Sequence, residues 1–141
     1  MLWTGVCVII FDMEELKKNQ IFEAEITGWS SDGAGVCRIA GRAVFVRGAI
    51  KGETVRLRIV KVTGAAVYAI IDELLVPSPS RIAPDCPHYG KCGGCALRHM
   101  SYEEELRFKL ERVNDAYAHI GLLPLRASEV IGADKTDGYR N

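Results

Sequence analysis

The feature that most constrains the fold is a stretch of short strand-like segments from Ile21 to Leu74, separated by glycines, with no helical period between them. Val55, Leu57 and Ile59 alternate with Arg56 and Arg58. Side chains two apart share a face of a strand, so this pattern predicts a half-buried strand with its arginines outward. Phe22, Ala24 and Ile26 alternate with Ile21, Glu23 and Glu25 in the same way. Gly28 to Gly35, with the Asp32-Gly33 pair, reads as a turn-rich stretch. Gly35–Ile39 and Arg42–Val46 read as a hairpin around Ala40-Gly41. Gly48–Gly52 makes the next break, and a last strand follows Thr63-Gly64 through Val67 to Ile71.

Five strands in about fifty residues without an intervening helix predict a mainly β fold, a small closed or nearly closed barrel of the OB kind. Beyond it, Pro77, Pro79 and Pro84 exclude a helix and give an extended linker. Ser101-Tyr102-Glu103-Glu104 then reads as a capping box opening one C-terminal helix. Leu106, Leu110, Val113, Tyr117 and Ile120 recur at helical spacing, and Gly121 stands at the C-cap. The domains expected are a barrel over 13–76, a linker and cysteine loop over 77–100, a helix over 101–121, and the start of a further domain over 122–141. Residues 1–12 read as an extension or a mis-assigned start.

The formal net charge of the 141 residues is zero, but residues 26–71 carry a net +5. A local positive block attracts phosphate, and a polyanion gains further by counterion release. The candidate phosphate contacts are Arg38, Arg42, Lys51, Arg56, Arg58 and Lys61, with Tyr68 or Phe45 able to stack a base where exposed. The alternative is a merely solvated face. The longest apolar run, Val6 to Phe11, is too short for a membrane span and lacks the basic start of a secretory signal, so the expected location is cytoplasmic, with no membrane partner and a monomeric state.

The five cysteines are odd in number, unlike a disulfide framework. Cys7 and Cys37 lie singly in apolar runs and read as small core residues. Cys86, Cys92 and Cys95 fall within ten residues as C-x5-C-x2-C, with Gly93-Gly94 permitting a tight turn. Three thiolates are one short of a [4Fe–4S] cluster, whose fourth ligand can come from far along a chain. Zinc would add His88 instead. A lone His88 or His99 without a readable partner is structural, no nucleophile–base pair is evident, and no glycine-rich nucleotide loop is present. The residues thus show no active site of this chain's own.

Two groups of phrases carry a resemblance. Ser31-Asp-Gly-Ala-Gly-Val-Cys-Arg38, Ala43-Val-Phe-Val46 and Gly52-Glu53 resemble a TRAM domain. Pro77-Ser-Pro-Ser-Arg81, Cys86-Pro-His-Tyr-Gly-Lys-Cys-Gly-Gly-Cys95, His99, Tyr102-Glu103 and the closing Gly138-Tyr-Arg-Asn141 resemble the iron–sulfur branch of bacterial 23S rRNA (uracil-C5)-methyltransferases. The resemblance implies a TRAM barrel that holds RNA, a central domain and an S-adenosylmethionine domain. It implies a cysteine attacking uracil C6, methylation at C5 and removal of the C5 proton, on a base taken out of its stack. It also implies that the nucleophile, the base, the cofactor site and the fourth cluster cysteine lie in parts this sequence does not contain. The expected function is therefore the RNA- and cluster-binding N-terminal part of such an enzyme, inactive alone. The rivals are a free-standing zinc- or iron–sulfur-containing RNA-binding module without catalysis, and a purely structural interaction domain.

Overall fold

A computed structural model describes residues 15–138 of the chain. The apolar run at Val6–Phe11, Cys7, the opening at Met13 and the final Tyr139-Arg140-Asn141 lie outside the described residues. Six strands form one sheet: β1 (Ile21–Glu25), β2 (Gly28–Trp29), β3 (Gly35–Ile39), β4 (Arg42–Arg47), β5 (Thr54–Val62) and β6 (Val67–Val76). Their spatial order is β1-β5-β6-β4-β3-β2, and every neighbouring pair is antiparallel except β4 with β6.

The sheet curls because its two edge strands are consecutive in sequence. β1 and β2 lie at opposite ends of the order, yet only Ile26 and Thr27 separate them. Ile26 donates its N–H to the Glu53 carbonyl (2.8 Å) and accepts from Gly52 N–H (2.8 Å). Thr27 N–H turns to the other edge and donates to Val36 O (2.9 Å). These two residues bridge a barrel-like sheet that no continuous ladder closes. Gly35 sits at this crossing, where a Cβ would stand 2.7 Å from the Ile26 side chain and 2.9 Å from Ala49 Cβ.

Alternation decides the core. Val55, Leu57 and Ile59 are fully buried with Val44, Val46 and Val67, and Ile26 seals the bridging end. Cys37 is buried among them, and burial pushes its thiol up to about 11, so it is an inert core residue as the apolar run predicts. The β3–β4 hairpin turns on Ala40 (φ 49°) and Gly41 (φ 74°), the paired positive angles of a type I′ turn. Three features differ from the strand expectations. β2 occupies part of the stretch read as turn, because two residues suffice to pair with β3. β5 and β6 extend further than their alternation, to Val62 and Val76, through register shifts at three points.

After β6 the proline strap runs over the barrel. Arg81 pairs with Met100 in an isolated antiparallel bridge, Ile82 N–H donates to His99 O (3.1 Å) and Ser101 N–H to Ser80 O (2.7 Å). Residues 82–99 are thus an excursion pinned at its neck. Helix α1 (Tyr102–Asp115) starts at Ser101, whose hydroxyl accepts Glu104 N–H (3.3 Å). Only this half of the expected capping box forms: Ser101 N–H is taken by Ser80, and the Glu104 carboxylate accepts from the Ser80 hydroxyl (3.2 Å).

The helix buries Glu104 and Phe108, not the predicted stripe. Phe108 meets Trp29 edge-on, ring centroids 5.5 Å apart, which docks α1 on β2. Leu106, Leu110 and Tyr117 are half-buried, while Val113 and Ile120 are exposed. Segment 122–138 returns along the helix, with Ala127 bonded through both backbone groups to Asn114 and Ala133 N–H donated to the Tyr102 hydroxyl (2.7 Å). α1 ends in one π turn, Ala116–Ile120, capped by Gly121 in right-handed conformation; the positive φ expected of a glycine cap falls on Leu122 (φ 48°).

Candidate nucleic-acid interface

The outward sides of β4 and β6 set two aromatic rings together. Parallel pairing places Phe45 opposite Tyr68 and Arg47 opposite Ile70. The Phe45 and Tyr68 rings lie 5.8 Å apart between centroids, tilted by 30°, and Tyr68 is 43% exposed. Arg47, exposed at the end of β4, stands beside this pair. These residues form one wall of a groove of about 1000 Å³. The Ser30–Ala34 turn contributes to the lining, and the facing wall is the cysteine loop, through Tyr89, Gly90, Gly93 and Cys95.

The six cations chosen from charge are differently placed. Arg56 and Arg58 do point outward from β5, as alternation requires, but each meets carboxylates on the neighbouring strands. Arg56 bonds Glu23 (2.7 Å) and Glu73, and Arg58 bonds Asp72. Lys51 pairs with Glu111 of α1 (2.9 Å). Arg42 donates to the carbonyls of Thr63 and Gly64, which ties the β3–β4 hairpin to the β5–β6 turn. Arg38 and Lys61 are exposed on the outer strand faces, Arg38 with a long contact to Gly41 O (3.4 Å) and Lys61 opposite Tyr68. The +5 block is therefore largely countered in space by acids from 23, 72, 73 and 111, which lie outside its own sequence window.

The strap is held by a buried carboxylate. Glu53 has no solvent exposure and accepts four hydrogen bonds: from Arg81 Nε (2.6 Å) and Nη2 (2.7 Å), Ile50 N–H (2.9 Å) and Ser78 N–H (3.1 Å). Burial alone would raise its pKa, but Arg81 and the two backbone donors outweigh that and hold it below the ordinary carboxylate value. Arg81 also donates to Gly48 O (2.7 Å). This pair, and the Trp29–Phe108 contact, escaped sequence reasoning. The available signal was the pairing of an arginine in a proline strap with a glutamate amid strand residues, both inside phrases already singled out.

Cys86 is half-buried, and Cys92 and Cys95 are exposed, all as free thiols. The loop turns tightly: Cys86 O accepts Tyr89 N–H (3.1 Å), and His88 O accepts Lys91 N–H (3.1 Å) and Cys92 N–H (3.0 Å). Gly90 (φ 82°) and Gly93 (φ 75°) supply the left-handed positions. Arg98 binds Asp85, Asp137 and the Cys95 thiol, which raise its pKa further. The donor chemistry is that of a thiolate metal site, three sulfurs on one loop. The geometry as it stands does not gather them, since no group of three or more His, Cys, Asp or Glu side chains among the described residues is placed around a common point. His88 is exposed. His99 is buried at the neck, its Nδ1 2.6 Å from the Tyr89 hydroxyl and its Nε2 without a partner among the described residues; burial, then Arg81, lowers its pKa to about 4.

Residues 15–71, which take in the curled sheet as far as the middle of β6, match the TRAM domain. Along most of its length the chain is also similar to proteins named as RNA methyltransferases. One from Clostridium tetani is 40% identical over 126 residues, covering 89% of this chain and 27% of the relative. A 23S rRNA (uracil(1939)-C(5))-methyltransferase from Alkalilimnicola ehrlichii is 40% identical over 100 residues, 71% of this chain and 22% of the relative. The crystal structure of a Pyrococcus abyssi tRNA (uracil-54, C5)-methyltransferase with S-adenosyl-L-homocysteine is 23% identical, covers 68% of this chain and 21% of that one, and superposes with a TM-score of 0.49. The chain spans about a quarter of the length of the curated relatives it matches. No helix among the described residues is long and apolar enough to cross a membrane.

Proposed function

We propose that this chain is the RNA-holding front end of a 23S rRNA (uracil-C5)-methyltransferase of the cytoplasm. The supporting observation is that the likeness to RNA methyltransferases extends over 89% of the chain, past the barrel and through the cysteine loop. A TRAM barrel alone would account only for residues 15–71. Unpaired bases stack on Tyr68 and Phe45, while Arg47, Arg38 and Lys61 meet phosphate; the remaining candidates, Arg42, Lys51, Arg56 and Arg58, contribute less because each already has a partner. Methyl transfer belongs to the greater part of the relatives that this chain does not match, so the chain binds no S-adenosylmethionine and methylates nothing by itself.

Cys86, Cys92 and Cys95 supply three thiolates to a [4Fe–4S] cluster whose fourth ligand comes from elsewhere, and the cluster's role is to fix the loop. The neck of the loop is pinned at Arg81–Met100, and its tip turns on Gly90 and Gly93. The test measures fluorescence anisotropy of a ribosomal RNA stem-loop against salt, with iron and zinc analysis of anaerobically purified chain. Salt-sensitive binding with iron at the three cysteines supports the proposal. Absence of RNA binding at low salt sinks it. Tight zinc lost in His88→Ala would replace the cluster by a Cys86, His88, Cys92 and Cys95 site and favour the free-standing module.

A further inference from the structure

We propose that Cys95 is part of the wall of the RNA groove, so that RNA binding and the chemical state of this one thiol are coupled. The inference rests on the RNA-binding reading above and adds a partner for each wall. On the barrel side stand Phe45, Arg47 and Tyr68; on the loop side stand Tyr89, Gly93 and Cys95. Of the three loop thiols Cys95 alone lines the groove; Cys86 and Cys92 lie outside it.

The loop wall is fixed at its base. Tyr89 reaches Ala96 O (3.2 Å) and His99 Nδ1 (2.6 Å) through its hydroxyl, and His99 O in turn accepts Ile82 N–H at the neck. Tyr89 also lies within the electrostatic reach of both walls: burial raises its phenol pKa, Arg81 and Arg47 oppose the rise, and Cys95 adds to it. Arg47, Tyr89 and Cys95 all line this one groove. A single strand seated with a base on Tyr68 and its phosphate at Arg47 covers Cys95 without touching Cys92.

The groove favours one occupant. Two rings with an adjacent guanidinium that has no ion-pair partner among the described residues suit a base and its phosphate, whereas an apolar peptide would leave Arg47 unmatched. If RNA covers Cys95, a group attached to Cys95 occupies space that the RNA needs and weakens its binding, as any coupling between the two must be mutual in sign.

The experiment uses the full 141-residue chain, reduced and freed of metal by a chelator, with a uridine-rich single-stranded RNA. Iodoacetamide labelling of each cysteine is followed by mass spectrometry, with and without RNA at a concentration that saturates anisotropy. RNA is expected to slow Cys95 labelling about fivefold or more and leave Cys92 within about twofold. In the Cys86→Ser/Cys92→Ser chain, prior labelling of Cys95 should weaken RNA binding severalfold. RNA that binds by anisotropy but protects the three thiols equally, or none, overturns the coupling and leaves the RNA reading standing. RNA that does not bind at all overturns both.

Discussion

Arg81 closes on Glu53 with two nitrogens, at 2.6 and 2.7 Å, and by doing so fastens the proline strap and the whole cysteine excursion to the barrel. A carboxylate with no exposure tolerates its charge only because four donors surround it. Arg81→Ala removes two of them and strands a buried charge, so it should cost about 3 kcal/mol in urea unfolding. Adding Glu53→Gln to Arg81→Ala should recover part of that loss, because no charge then remains buried. Glu53→Gln and Arg81→Ala effects that simply add would show that the two side chains act independently.

His99 makes the neck pH-sensitive. Its pKa lies near 4 in the fold against 6.5 for the ordinary imidazole, so the unfolded chain binds the proton more readily. The stability this histidine contributes is complete above pH 6.5 and drains away as pH falls toward 4, by a total of about 3 kcal/mol. Glu53, held low, loses its contribution only below its ordinary value of 4.5. Chemical denaturation at pH 7 and pH 5 should therefore show a drop in the parent chain that His99→Gln abolishes. An equal drop in both proteins would assign the pH dependence to other groups.

How much of this was readable in the sequence depends on distance along the chain. Val55, Leu57 and Ile59 announced a strand and its buried face because a period of two needs only near neighbours. Ala40-Gly41 announced its hairpin for the same reason. The two-residue β2 carries no period of its own and exists only through its pairing with β3. Leu106 and Leu110 begin a more regular stripe than Phe108 does, and only the position of Trp29 decides which side of α1 faces the barrel. Arg56 and Arg58 read as free phosphate contacts because Glu23, Asp72 and Glu73 become their neighbours only after the strands pair. The cysteine spacing gave the donor set but not its arrangement, which depends on the left-handed turns at Gly90 and Gly93.

Gly35 tests the barrel's bridge. A methyl there would press on Ile26, Ala49 Cβ and the Ala49 carbonyl at 2.7 to 3.0 Å, and a backbone atom cannot swing aside as a side chain does. Gly35→Ala should destabilise the chain by about 1–3 kcal/mol through overpacking. Gly28→Ala, with nothing within 4 Å, should be neutral or slightly stabilising by restricting the unfolded chain. Equal midpoints for the two variants would mean that the crossing at Ile26 is looser than described.

Stacking and charge should separate cleanly in RNA binding. Tyr68 presents a half-exposed ring to solvent beside Phe45, so Tyr68→Ala removes a platform that contributes about 1–3 kcal/mol per base. Its affinity should fall roughly tenfold or more with the salt slope unchanged, since no phosphate contact is lost. Arg47→Ala should lower the slope of log affinity against log salt by about one unit or less. Arg56→Ala/Arg58→Ala should change neither quantity measurably, because Glu23, Glu73 and Asp72 already offset both guanidinium charges, and its thermal midpoint should stay close to the parent's. Should the double variant lose as much slope as Arg47→Ala, RNA must displace those carboxylates, and the strand would run across β5 instead of lying in the groove beside β4 and β6.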